Sequence, residues 1–126
     1  MVRNMNRPAL FFALALLVTA AARAESPPTW NVPGGDPGRG RALIARFGCA
    51  GCHTIPGVRG AVGNVGPSLA RIGDRTFVAG MLRNTPENLV RWLQHPQQVI
   101  PGNAMPEMGI SEAEARDIAS YLYTLR

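Results

Sequence analysis

The sequence predicts a small all-α fold of about three main helices, with short helical turns and long loops between them. Three stretches carry apolar residues at helical spacing, and each opens on a capping signal of its own. The stretches between them are rich in glycine and proline, and none alternates apolar and polar residues as a strand would. No internal repeat is present.

Residues 1–24 read as a segment separate from that fold. Arg3 and Arg7 precede a run from Ala9 to Ala22 that is apolar apart from Thr19, and Ala22-Arg23-Ala24 has the small-x-small pattern of a signal peptidase site. The run is shorter than the roughly 20 apolar residues that a transmembrane helix needs. It is therefore expected to be an export signal cut after Ala24, using general secretion because no adjacent arginine pair is present. The alternative is an uncleaved N-terminal anchor, which would bring membrane contact. Residues 25–35, with Pro27, Pro28, Pro33, Gly34 and Gly35, form an aperiodic linker in which Trp30 stands alone. One small domain then spans 36–126.

Charge excludes one class of function. The chain has thirteen arginines and no lysine, against eight acidic residues. Three of the arginines lie within residues 1–24, so the remainder is close to neutral and gives no footing for nucleic-acid binding.

Asp36-Pro37 supplies an N-cap followed by proline at the first helical position. Gly40, Leu43, Ile44 and Phe47 continue as one apolar face, and Gly48 ends the helix. Directly after it comes Cys49-Ala50-Gly51-Cys52-His53. A Cys-x-x-Cys-His run is the attachment pattern for haem c. The two thiols each add to one vinyl group of the macrocycle, and the adjacent imidazole is held under the iron as an axial ligand. The same two cysteines could instead form a disulfide in an exported protein, or serve as a redox dithiol or half a zinc site.

Residues 54–66 are too irregular for a helix and too glycine-rich for a sound strand, and read as a compact loop wrapping a ligand. Short helical turns are expected around Leu69–Ile72 and Phe77–Leu82. Thr85-Pro86-Glu87 opens a second helix through Leu89, Val90, Trp92 and Leu93, which Pro96 stops after His95. Gln97–Gly109 is then expected to be extended. Ser111 and Glu114 form a capping box for a last helix whose face is Ile118, Tyr121, Leu122 and Leu125.

The sixth iron position needs a ligand, and Met81, Met105, Met108 and His95 are the candidates. His95, at a helix end before a proline, suits a solvent-facing or C-capping role. Met81 suits a core position. Met105 and Met108 share an extended strap, and composition does not separate them.

Taken together, Cys49-Ala50-Gly51-Cys52-His53, Gly66-Pro67-Ser68-Leu69, Met105-Pro106 to Gly109-Ile110 and the last helix resemble class I c-type cytochromes over Asp36–Arg126. The resemblance implies a cytochrome c-like fold wrapped round one covalent haem c. It also implies Met105 as the sulfur ligand, with Met108 as packing beside it, and the Pro67 carbonyl accepting the Nδ1 proton of His53. Trp92 and Arg75 would serve the haem propionates, and Gly40 with Tyr121 the crossing of first and last helices. Ile55, Val58, Val62, Met81 and Leu82 are expected to wall the exposed haem edge. Asn84–Leu89, Trp92 and the strap resemble in particular the cytochrome c module on subunit II of bacterial haem-copper oxidases, although no copper domain or membrane hairpin is seen. The implied function is that of an exported, periplasmic monohaem carrier and not an enzyme. It would pass single electrons between redox proteins, toward a membrane oxidase or as the haem subunit of an oxidoreductase. The alternative is a haem protein with a labile methionine that binds or reduces a small molecule such as peroxide.

Overall fold

The computed structural model describes residues 31–126. The export signal, its cleavage site, Trp30 and most of the 25–35 linker lie outside the described residues. Four helices run in chain order: α1 (Pro37–Arg46), α2 (Pro86–Gln94), α3 (Pro96–Val99) and α4 (Glu112–Leu122). Between α1 and α2 stand two single-turn 3-10 segments and a small antiparallel hairpin, β1 (Phe77–Val78) with β2 (Leu82–Arg83).

The capping residues act as the sequence suggests. Asp36 accepts from the Arg39 amide at 2.7 Å, with Pro37 opening α1. At α4, Ser111 Oγ accepts from the Glu114 amide and Glu114 Oε2 accepts from the Ser111 amide, satisfying two otherwise orphan donors. At the start of α2, Thr85 Oγ1 accepts from the Asn88 amide at 3.3 Å, satisfying one such donor. Three main helices thus begin where their side chains neutralise free N–H groups.

The core lies where α1 and α2 pack onto α4, around the fully buried Ile44, Ile55, Leu89, Ile118 and Leu122. α1 approaches α4 very closely at Gly40. A Cβ there would strike the Asp117 carbonyl oxygen of α4, so glycine is what lets the two backbones meet. The same crossing is locked by charge. Arg39 Nε and Nη2 donate to Asp117 Oδ2 and Oδ1 at 2.8 and 2.9 Å, and the Asp36 amide donates to Oδ1 at 2.7 Å. Asp117 is only 9 % exposed at its side chain, so its charge is held by three donors where water is scarce. The Arg39 guanidinium holds the Asp117 carboxyl below its usual range, against burial, which pushes it up. Tyr121 makes a further tie from the same helix. Its hydroxyl donates to the Pro56 carbonyl at 2.7 Å and ties α4 to the 54–66 loop.

A second polar hub joins the 72–76 segment to the end of α4. Asn84, buried, donates through Nδ2 to the carbonyls of Ile72 (2.8 Å) and Arg75 (2.9 Å) and accepts the Tyr123 hydroxyl at 2.9 Å. The Gly73 amide donates to the Leu125 carbonyl at 2.9 Å. Burial and the charge of Glu87 raise the Tyr123 hydroxyl well above its usual pKa, so it stays a neutral donor.

Three local expectations are corrected. Phe77–Leu82 is not a helical turn. Ala79 and Gly80, at φ +54° and +70°, turn the chain back on itself so that Val78 pairs with Leu82 and Phe77 with Arg83. The chain does turn at Leu69–Ile72, where the Ile72 amide donates to the Leu69 carbonyl at 3.1 Å, but Arg71 at φ +58° keeps that turn from being helical and the 3-10 segment follows at Ile72–Asp74. Gln97–Gly109 is not wholly extended, because Pro96 both ends α2 and starts α3, where its fixed φ and missing N–H cost nothing.

Candidate functional site

The attachment motif sits immediately off α1. Gly48, at φ +73°, redirects the chain, and Cys49–Gly51 form a 3-10 turn that brings Cys52 and His53 round to the same side. Cys49 and Cys52 are half-buried free thiols. Burial pushes the Cys49 thiol up from its ordinary value, which favours the neutral thiol over the thiolate. Among the described residues no group of three or more His, Cys, Asp and Glu side chains could hold a metal ion, so the zinc alternative lacks the rest of its site.

His53 is fixed from two sides. Its Nδ1 lies 2.7 Å from the Pro67 carbonyl oxygen. A carbonyl oxygen can only accept, so Nδ1 carries the proton and Nε2 of the neutral ring keeps its lone pair. Gly66 presses on the ring edge, where a Cβ would collide with the imidazole Cε1. The ring therefore has one tautomer and one seat.

In front of it opens a cavity of about 510 Å³, within the range of cofactor pockets. One side is formed by Cys49, Cys52, His53 and Pro67, and the strap contributes Asn103, Ala104, Met105, Pro106 and Met108. Leu69, Ile72, Arg75 and Trp92 line it as well, and the hairpin closes it with Phe77, Val78, Ala79 and Gly80. The structure thus brings together Cys49, Cys52, His53, Pro67, Arg75, Trp92, Met105 and Met108. A largely apolar cavity with two thiols, an imidazole lone pair and two thioethers on its surface has the donor chemistry that a covalent haem requires, and the residues fit the group. Arg75 Nη2 also donates to the carbonyls of Ser68 and Ala70, the latter at 3.3 Å, which ties it to the segment after Pro67. Trp92 additionally borders a void of about 50 Å³ shared with His53 and Met105.

Two sixth-ligand candidates are left outside the cavity lining. Met81 is 63 % exposed beside the hairpin turn and not in the core. His95 is exposed at the end of α2, with Nδ1 3.9 Å from Glu107 Oε2. The expected wall is corrected too. Ile55 is buried in the core, Val58, Val62, Met81 and Leu82 do not line the cavity, and Val65 (69 % exposed) and Phe77 (48 % exposed) stand there instead. Once 77–82 is a hairpin and not a helix, Phe77 turns toward the cavity and Met81 away from it. The Ala-Gly pair between Phe-Val and Leu-Arg was the available signal.

Comparison with known proteins bears on the same region. A family profile described as Cytochrome c matches residues 38–126. The chain is 35% identical over 89 residues to a cytochrome c oxidase subunit 2 of Alkalihalophilus pseudofirmus, covering 70% of this chain and 25% of that one. A cytochrome c oxidase subunit 2 of Bacillus sp. strain PS3 is 37% identical over 82 residues, or 62% of this chain and 23% of that one. The chain therefore spans about a quarter of the length of these oxidase subunits. A cytochrome c2 of Rhodopila globiformis is 31% identical over 109 residues, covering 76% of this chain and 99% of that one.

Proposed function

Because the chain belongs to the cytochrome c family, whose members bind covalent haem c, we propose that it is a monohaem electron carrier in which His53 and Met105 would hold the iron. The observation that carries this reading is the locked imidazole. Pro67 and Gly66 hold His53 with its Nε2 lone pair available on a cavity that Met105 also lines.

Bound haem supplies the one-electron couple. Cys49 and Cys52 would anchor it through thioether bonds, so it cannot dissociate. The Pro67 carbonyl keeps the His53 Nδ1 proton in place and strengthens the ring as a donor. Met105 contributes a soft sulfur that favours the ferrous state. With His53 and Met105 both holding the iron, the protein would leave a substrate no open place to bind, and the apolar lining would exclude water and limit reorganisation when charge changes. Trp92 and Arg75 would serve the propionates. Val65 and Phe77, exposed at the cavity, would meet a redox partner over a small and short-lived contact.

The pattern in residues 1–24 supports export to the periplasm, and the likeness to oxidase subunits supports a terminal oxidase as the electron acceptor. Among the described residues no helix is long and apolar enough to cross a membrane. The mature protein is expected to carry the mass of one haem on a chain beginning at Glu25, as mass spectrometry would read. The ligand assignment is tested by the far-red iron–sulfur charge-transfer band of the oxidised protein. The band should vanish in Met105→Ala and survive in Met108→Ala; the reverse result would make Met108 the ligand. Carbon monoxide uptake by the ferrous protein at neutral pH would argue instead for a labile methionine and a ligand-binding role.

A further inference from the structure

The strap that carries Met105 is not held by the hydrophobic core alone. It is organised around one side chain, Gln97, in the first turn of α3. Gln97 Oε1 accepts from the Gly102 amide at 3.0 Å, while Nε2 donates to the carbonyls of Asn103 (2.9 Å) and Met105 (2.7 Å). Its own amide donates to Glu107 Oε1 at 3.1 Å, beyond Met105 in the chain. One residue therefore grips the strap at four positions on both sides of the methionine. Asn103 completes the bracket, donating to the carbonyls of Pro96 and Ile100 and accepting the Met105 amide at 2.7 Å.

We propose that Gln97 is a positioning residue for Met105, fixing the strap so that the sulfur stays on the iron. This rests on the reading of Met105 as axial ligand. The chemistry of the contacts selects the residue type. The site needs one acceptor and two donors on the same planar group at that reach, and only a glutamine amide supplies them. A carboxylate could accept from Gly102 but would face two carbonyl oxygens with nothing to donate. An alanine would leave both carbonyls and the Gly102 amide to find water. In either case the state with the sulfur in place loses bonds that the open strap does not make. An added ligand competing for the iron then binds more tightly by the factor through which the closed state has been weakened.

The test uses the intact ferric haem protein with imidazole as competitor, comparing wild type with Gln97→Ala and the near-isosteric Gln97→Glu. Losing two hydrogen bonds in Gln97→Glu, or three in Gln97→Ala, should let imidazole displace the far-red band at roughly tenfold lower concentration or less. Gln97→Glu should be affected at least as strongly as Gln97→Ala, because it keeps the size, removes the donation and sets a negative charge against two carbonyl oxygens. Amide exchange of residues 102–107 in the same proteins should quicken while α4 keeps its protection. If Gln97→Glu takes up imidazole like wild type and exchanges normally, the side chain only fills space and the proposal is overturned. Met105→Ala in the same series separates the two readings. If Met105→Ala lacks the band and Gln97→Glu is normal, only the role of Gln97 fails. If Met105→Ala keeps the band, the ligand assignment fails and this proposal fails with it.

Discussion

At the scale of single residues, the site depends on atoms that are absent as much as on those present. Gly66 is the clearest case, since its missing Cβ is the space in which the His53 ring rests. Gly66→Ala would push the imidazole off the Pro67 carbonyl or force the 66–69 backbone outward. Overpacking of this kind costs about 2 kcal/mol, so a domain of this size should melt roughly 10 °C lower. A melting curve of the oxidised haem protein followed at the Soret band would show it, and an unchanged midpoint would mean that the loop moves freely. The residue types that announce chemistry, Cys49, Cys52 and His53, were legible in the sequence because their spacing is set by covalent and coordination geometry. Gln97 and Asn84 were not. Their importance comes from carbonyl groups in other segments, and nothing in the local pattern marks an amide as a hub.

At the scale of elements, the helices that could be read were those whose ends carry their own chemistry: Asp36-Pro37, Thr85-Pro86 and the Ser111–Glu114 box. The elements that were misread are the short ones. A two-residue strand has no periodicity to detect, and a proline that stops one helix and starts the next looks only like a stop. Helix pairing is visible as a glycine, and the resemblance puts Gly40 at a crossing with the last helix. The atom that stands against it, the Asp117 carbonyl oxygen, is visible only in the fold. Gly40→Ala, a change that would usually favour a helix, should therefore destabilise the protein by about 2–3 kcal/mol in urea unfolding. A neutral or stabilising result would mean that α1 and α4 are not in backbone contact.

At the scale of the whole molecule, the ion pair across that crossing gives the protein a characteristic acid limit. The folded Asp117 has a depressed pKa, held down chiefly by the Arg39 hydrogen bonds. A group of this kind contributes stability that is fully present above the ordinary carboxylate value of 3.8 and is lost as pH falls through the lower folded value. Asp117→Asn should thus melt several degrees below wild type at neutral pH, and the gap should close as pH falls below 3.8. Melting temperatures recorded across that range decide it. A gap that stays constant with pH would assign the difference to packing and not to charge.

The stitching of Tyr123 onto Asn84, and of Leu125 onto Gly73, has a consequence in time. The segment bearing Arg75 is fastened by residues about seventy positions downstream of the attachment motif. The two thiols and the imidazole precede in sequence both the strap that faces them and the residues that secure the opposite wall. The cavity is therefore closed by contacts of long sequence separation, whose loop-closure entropy makes them slow to form. A chain that has not yet made them would present Cys49 and Cys52 to a broad, rigid macrocycle from the side, with no closed pocket to thread.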